Sequence, residues 1–181
     1  MAGATETIAT FISRTSLADL PPDAPEKAAK AIADTFAVIL AGAGSDVTEP
    51  LLRYVQSAGE TGASPILGTG MTATAEMAAL VNGTFGHALD YDDVLAIMPA
   101  HPSTIILSAV LASLNGERVS GKAFIEAYVL GIEIGGKIGL GMTQGHYRRG
   151  FHATGTLALF SGLAALAKRA RLPPLVGYLL A

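Results

Sequence analysis

The most apolar stretches of the sequence, residues 31–44, 127–142 and 155–167, are too short or too charged to be anything but helices buried inside a protein. Asp34 interrupts the first, Glu133 and Lys137 interrupt the second, and none reaches the roughly 20 apolar residues that a membrane-spanning helix needs. Around the first stretch, Ala28, Ala31, Ile32, Phe36 and Ile39 recur at three- and four-residue spacing, the period of one face of an α-helix. Glu133 precedes Lys137 by four positions, the favourable order for a helical ion pair. The pattern predicts an all-α fold, a helical bundle with no membrane partner. Apolar residues make up 50% of the chain against 15% charged. Mean hydropathy is +0.45, so part of the apolar surface is expected to meet a second copy or another part of the same fold.

Charge and cysteine content exclude several classes of function. Lys and Arg number 12 against 15 acids, for a net charge of -3, and the basic residues are scattered except at Arg148-Arg149 and Lys168-Arg169. No nucleic-acid partner is expected from this balance. The absence of cysteine removes disulfides, thiolate nucleophiles and cysteine-held metal clusters together. Chemistry must come from histidines, carboxylates and hydroxyls. The N-terminal residues lack the basic and apolar regions of a signal peptide, which makes a cytoplasmic location the expectation.

Helix punctuation recurs along the chain. Helices are expected over 6–15, from the possible cap Asp23 with Glu26 at the capping-box position to Gly42-Ala43-Gly44, and after Thr48-Glu49-Pro50. Residues 59–71 read as loop with one short extended piece at Pro65-Ile66-Leu67. Further helices are expected over 73–89, over 102–114 with Pro102 in the first turn, and over 121–140 behind the cap Ser120. A glycine-rich basic loop is expected over 141–150, then a last helix over 153–170. One domain is expected over 1–171, followed by an apolar tail over 172–181.

All four histidines follow residue 86, and three acids fall within four positions in His87-Ala88-Leu89-Asp90-Tyr91-Asp92-Asp93. If helix persists to Asp90, His87 and Asp90 share a face, while Gly83 and Gly86 thin the helix for a ligand or a neighbouring helix. The same acids would equally serve as a solvated helix end. His101 precedes Pro102-Ser103 and His152 precedes Ala153-Thr154-Gly155, so both stand at expected helix N-termini. The positive end of a helix favours a neutral imidazole able to accept a proton, whereas a nearby carboxylate such as Asp90 favours the charged ring. Either histidine would also serve simply as a cap. His146, Arg148 and Arg149 would suit an anionic group if the basic loop precedes a helix. His87, Asp90, Asp92, Asp93 and His101 show none of the standard metal-ligand spacings, and no metal is expected.

Three motifs in order, Asn82-Gly83-Thr84-Phe85-Gly86-His87-Ala88-Leu89-Asp90-Tyr91-Asp92-Asp93, His101-Pro102-Ser103 and Gly150-Phe151-His152-Ala153-Thr154-Gly155, resemble the MmgE/PrpD family. The resemblance runs from the N-terminal helix to about Arg171. It implies the N-terminal part of an all-α domain that dimerises, without the α/β lid that completes the family's site. It also implies a small di- or tricarboxylic acid as substrate and no metal or organic cofactor. Carried over by motif, Asp90, His101 and His152 are the expected catalytic residues. His87, Asp92, Asp93, Ser103, Arg148 and Arg149 are expected around the substrate. The implied chemistry is proton transfer at carbon beside a carboxylate, followed by loss of water, loss of carbon dioxide, or return of the proton to the other face. In a dehydration, one of His101 and His152 would take the proton and the other, helped by Asp90, would serve the departing hydroxyl.

Two features depart from the family pattern. Val94 stands where decarboxylase-type members resemble one another in having threonine. Members are also well over twice as long, so the lid and the lysines expected to bind substrate are missing. A shortened reading frame would account for this, and exposed apolar patches would follow from it. A lyase of the 2-methylcitrate dehydratase type is the leading expectation. An iminodisuccinate-type epimerase and a truncated, non-catalytic dimerising fragment are its alternatives.

Overall fold

The computed structural model describes residues 3–173. Its centre is a helix that presents no polar face to water. Residues Pro102–Leu114 form this helix, α5 in chain order, with Pro102, Ser103, Thr104, Ile106, Leu107, Ser108, Val110 and Ala112 all buried. A helix apolar around most of its circumference belongs inside a protein, and the others wrap it. They are α1 (Ala4–Arg14), α2 (Ala24–Gly42), α3 (Thr48–Ala58), α4 (Ala75–His87), α6 (Gly121–Arg148), α7 (Ala153–Thr156) and α8 (Ala158–Arg169). The only strands among the described residues, β1 (Ser64–Ile66) and β2 (Met71–Ala73), pair antiparallel between α3 and α4. The fold is therefore mainly α, as expected. No helix of the described residues is long and apolar enough to cross a membrane.

Two apolar clusters flank α5. Ile39, Val55, Ile66, Val81, Phe85 and Leu107 join α2, α3, α4 and the hairpin to one side of it. Ile106, Val110, Ala28, Ala127, Tyr128 and Ala165 join it to α2, α6 and α8 on the other. Glycines set the closest approaches. A Cβ at Gly42 would overlap the Phe85 carbonyl oxygen, so α2 ends hard against α4. At Gly86 a Cβ would come within 2.5 Å of Thr104 Cγ2, which holds α4 close to α5. This is the thin helix surface expected at Gly86, used here for packing.

Several local expectations hold. Ser120 accepts a hydrogen bond from Ala123 N as the cap of α6, and Thr74, which the sequence did not single out, does the same from Met77 N for α4. Pro102 opens α5, and Glu133 and Lys137 pair at 2.9 Å. Four expectations are corrected. Asp23 has helical backbone angles, which turn its side chain away from the helix N–H groups, and it pairs with Lys27 instead of capping. Glu26 likewise bonds Lys30 and closes no capping box. The basic loop expected over 141–150 is mostly helix, because α6 runs unbroken to Arg148. Glycine costs a helix interior about 1 kcal/mol relative to alanine, but Gly131 and Gly135 admit the α8 backbone and Ser161, and Gly139 admits Met98. The break comes at Gly150, whose φ is 89°. The last helix is divided at Leu157, leaving α7 as a single turn ahead of α8. Of the tail expected over 172–181, only Leu172 and Pro173 lie within the described residues.

Candidate acid–base site

The end of α4 and the start of α5 face each other across residues 88–101, a segment pinned by a backbone bridge between Leu95 and Ala100. α4 stops at His87. Leu89 is followed by Asp90 with a φ of 55°, a left-handed turn that asparagine and aspartate tolerate better than most residues. The turn carries Asp90 off the helix, so the i,i+3 pairing expected with His87 is replaced by a loop arrangement. Side-chain donor atoms of His87, Asp90, Asp92 and His101 then lie within 4.8 Å of one another.

Asp92 is the centre of this group. Its side chain is 1% exposed. His87 Nδ1 stands 2.9 Å from Oδ1, Thr104 Oγ1 donates to Oδ2 at 3.1 Å, and His101 Nδ1 lies 3.5 Å from Oδ1. His101 Nδ1 is also 3.3 Å from the Asp92 carbonyl oxygen. An ionised carboxylate and a carbonyl only accept, so these contacts place a proton on Nδ1 of each ring and leave Nε2 as the nitrogen open to a ligand. The two rings are 4.7 Å apart, centroid to centroid, and tilted by 59°. His87, Asp92, His101, Thr104 and Thr154 line a cleft of about 430 Å³, with Leu80, Gly83 and Ile105 among its apolar walls.

Asp93 turns the other way. Its carboxylate accepts from Ser103 N at 3.2 Å and from Ser103 Oγ at 2.6 Å, capping α5. Ser103 Oγ in turn lies 2.5 Å from Tyr128 OH. Burial pushes the half-buried Asp93 carboxyl above its ordinary value, against the pull of the Ser103 bonds. Burial also pushes the Tyr128 hydroxyl up to about 12.

The other expected residues are placed as follows. His152 is exposed and caps α7, its Nδ1 accepting from Gly155 N at 3.3 Å, and it does not line the cleft. His101 N donates to Thr154 Oγ1 at 3.1 Å, which ties α7 to the start of α5. His146 bonds Thr156 Oγ1 at 2.7 Å and stacks on Phe151. Arg148 and Arg149 are exposed at the C-terminal end of α6, where cations complement the helix dipole, so the anion-binding loop expected of them is not formed. Ser103 is buried with Asp93 and Tyr128, away from the cleft wall. Val94 is exposed. Thr104, Tyr128 and Thr154 complete the arrangement although sequence alone gave no role to them. Thr104 had a usable signal, since it follows His101 by three positions on a helix start.

Residues 6–174 match the model of the MmgE/PrpD N-terminal domain, which is nearly the whole chain. The chain belongs to the MmgE/PrpD family. Among curated MmgE/PrpD-like relatives, the cis-aconitate decarboxylase of Aspergillus terreus is 31% identical over 142 residues, covering 76% of this chain and 29% of the relative. A cis-aconitate decarboxylase-like protein of Aspergillus oryzae is 26% identical over 178 residues, 94% of this chain and 37% of its own length. The chain thus spans about a third of the length of these relatives.

Proposed function

We propose that this MmgE/PrpD chain carries the acid–base centre of a lyase for a small di- or tricarboxylic acid, and that it needs no cofactor. The observation that supports this reading is the buried Asp92 carboxylate shared by His87 and His101. A carboxylate on Nδ1 fixes the tautomer, orients the ring and stabilises the imidazolium formed when Nε2 takes a proton. His101, the less exposed ring, is assigned the abstraction of a proton beside a substrate carboxylate. Asp90, at the exposed edge of the same group, is assigned to the departing group. His152, assigned to the departing group as well by its motif, stands two residues before the cleft-lining Thr154.

Return of the proton without elimination, as in an epimerase, is a second reading, favoured by the presence of two imidazoles beside one cleft. Proton NMR in D₂O with 2-methylcitrate, citrate, cis-aconitate and iminodisuccinate separates the readings, because dehydration, decarboxylation and epimerisation leave different product or deuterium signatures. Turnover that disappears in His101→Ala, with helical circular dichroism unchanged, is the expected result. Undiminished turnover in that variant removes His101 from the mechanism, and silence from the folded chain over the whole panel favours a non-catalytic fragment. Homodimerisation is part of the proposal, and sedimentation equilibrium showing only monomer would overturn it. Among the described residues, Leu140, Met142, Tyr147, Phe151, Leu159 and Phe160 are the exposed large apolar side chains available for it on and after α6.

A further inference from the structure

His87, Asp90, Asp92 and His101 together offer the ligand types of a divalent-metal site, and they include the imidazoles to which proton transfer is assigned above. Two imidazoles and two carboxylates are ligands that Zn²⁺ and Co²⁺ accept readily. The four donor atoms lie within 4.8 Å of one another. His87 Nδ1 and His101 Nδ1 face the same oxygen, Asp92 Oδ1, at 2.9 and 3.5 Å. Bonds of about 2.0–2.1 Å to a tetrahedral ion set its ligands roughly 3.3–3.4 Å apart, so these two edges straddle the required length. An ion bound there would take the place of the protons on the two Nδ1 atoms.

The surroundings support the same reading. Asp92 is not a solvated surface acid, being 1% exposed, and Thr104 Oγ1 fixes its second oxygen at 3.1 Å as an outer partner of a ligating carboxylate would. Among the described residues no lysine or arginine forms an ion pair with Asp90, Asp92 or Asp93, and the ion-pair partners of Asp92 are both imidazoles. His87 and Asp90 lie at the exposed edge and give an ion a way in.

We propose that this group binds one Zn²⁺ or Co²⁺ per chain, and that the bound ion withdraws both imidazoles from proton transfer and so inhibits any turnover that depends on them. The test is titration of the full chain with zinc chloride by calorimetry and with cobalt chloride by visible absorption, neither of which needs a substrate. One saturable site and cobalt bands of a low-coordinate nitrogen and oxygen environment are expected. His87→Ala and Asp90→Asn alter exposed side chains, so they should keep the helical circular dichroism while weakening zinc binding at least tenfold each. The absence of saturable binding, or binding unchanged in both variants, overturns the proposal.

Discussion

Asp92 and Asp93 are neighbours in the chain, yet their carboxylates grip opposite sides of the first turn of α5. Asp92 takes Thr104 Oγ1 and faces the cleft with His87 and His101, while Asp93 takes Ser103 N and Oγ and faces Tyr128. One acid holds the two imidazoles and the other holds the helix that carries one of them. The predictions below separate those duties.

Replacing Asp92 by Asn leaves the shape but removes the ion that two imidazoles and Thr104 address. Hydrogen bonds to an ionised group contribute about 1.5–3 kcal/mol each, less where geometry is long. Urea denaturation should show a loss of about 2–3 kcal/mol. Any turnover should fall with it, whereas a variant as stable as the native chain would deny Asp92 its central place.

Asp93 should make stability fall as pH rises. Its folded pKa is raised by burial from 3.8, so between that value and the folded one the native state binds more protons than the unfolded chain. The contribution is fully present below 3.8 and lost as pH climbs through the folded value. Denaturation midpoints of the native chain and Asp93→Asn, compared at pH 4 and pH 7, should move apart with the native chain losing ground at pH 7. The opposite drift would contradict the burial argument.

Tyr128 should ionise well above the ordinary range of a tyrosine. Its hydroxyl is raised from 10.0 to about 12 by burial, so its contribution to stability is intact below 10 and is lost as pH rises toward 12. Absorbance at 295 nm should record a late phenolate step that Tyr128→Phe abolishes. The same variant should cost about 1 kcal/mol, the usual net worth of one hydrogen bond.

Gly83 and Gly86 should respond to alanine with opposite signs. A Cβ at Gly86 meets Thr104 Cγ2 at 2.5 Å, and forcing it in should cost about 1–3 kcal/mol while displacing the hydroxyl that bonds Asp92. At Gly83 the nearest atom is Ser108 Oγ at 3.7 Å, so alanine should fit and add up to about 1 kcal/mol of helix propensity. Thermal melts of the two variants check both directions.

The parts of this fold legible in the sequence are those governed by neighbours along the chain. Pro102 after His101, Ser120 before α6 and the clustered acids after His87 each carried a local signal that the structure repeats. Distant contacts were invisible. Tyr128 sits in an apolar run where nothing local points to Ser103, 25 positions away. The continuation of α6 through its glycines depends on α8 and Met98 filling the space that missing side chains leave. Asp23 failed as a cap because its backbone is helical, which turns the carboxylate away from the helix N–H groups and toward Lys27. The pairing of Asp92, and not Asp90, with both imidazoles follows from the left-handed turn at Asp90, which residue spacing alone does not specify.

The bridge between Leu95 and Ala100 closes a short loop, and His87, Asp92, His101 and Thr104 all come from the stretch that it gathers. Bringing such groups together requires only a small loss of chain entropy, because closure cost grows with the length of chain enclosed. The group can therefore assemble early, as soon as α4 and α5 meet, and before α6 and α8 have wrapped the far side. Folding speed depends on how local the native contacts are, so this part of the molecule is placed to act as a nucleus on which the slower, long-range helices condense.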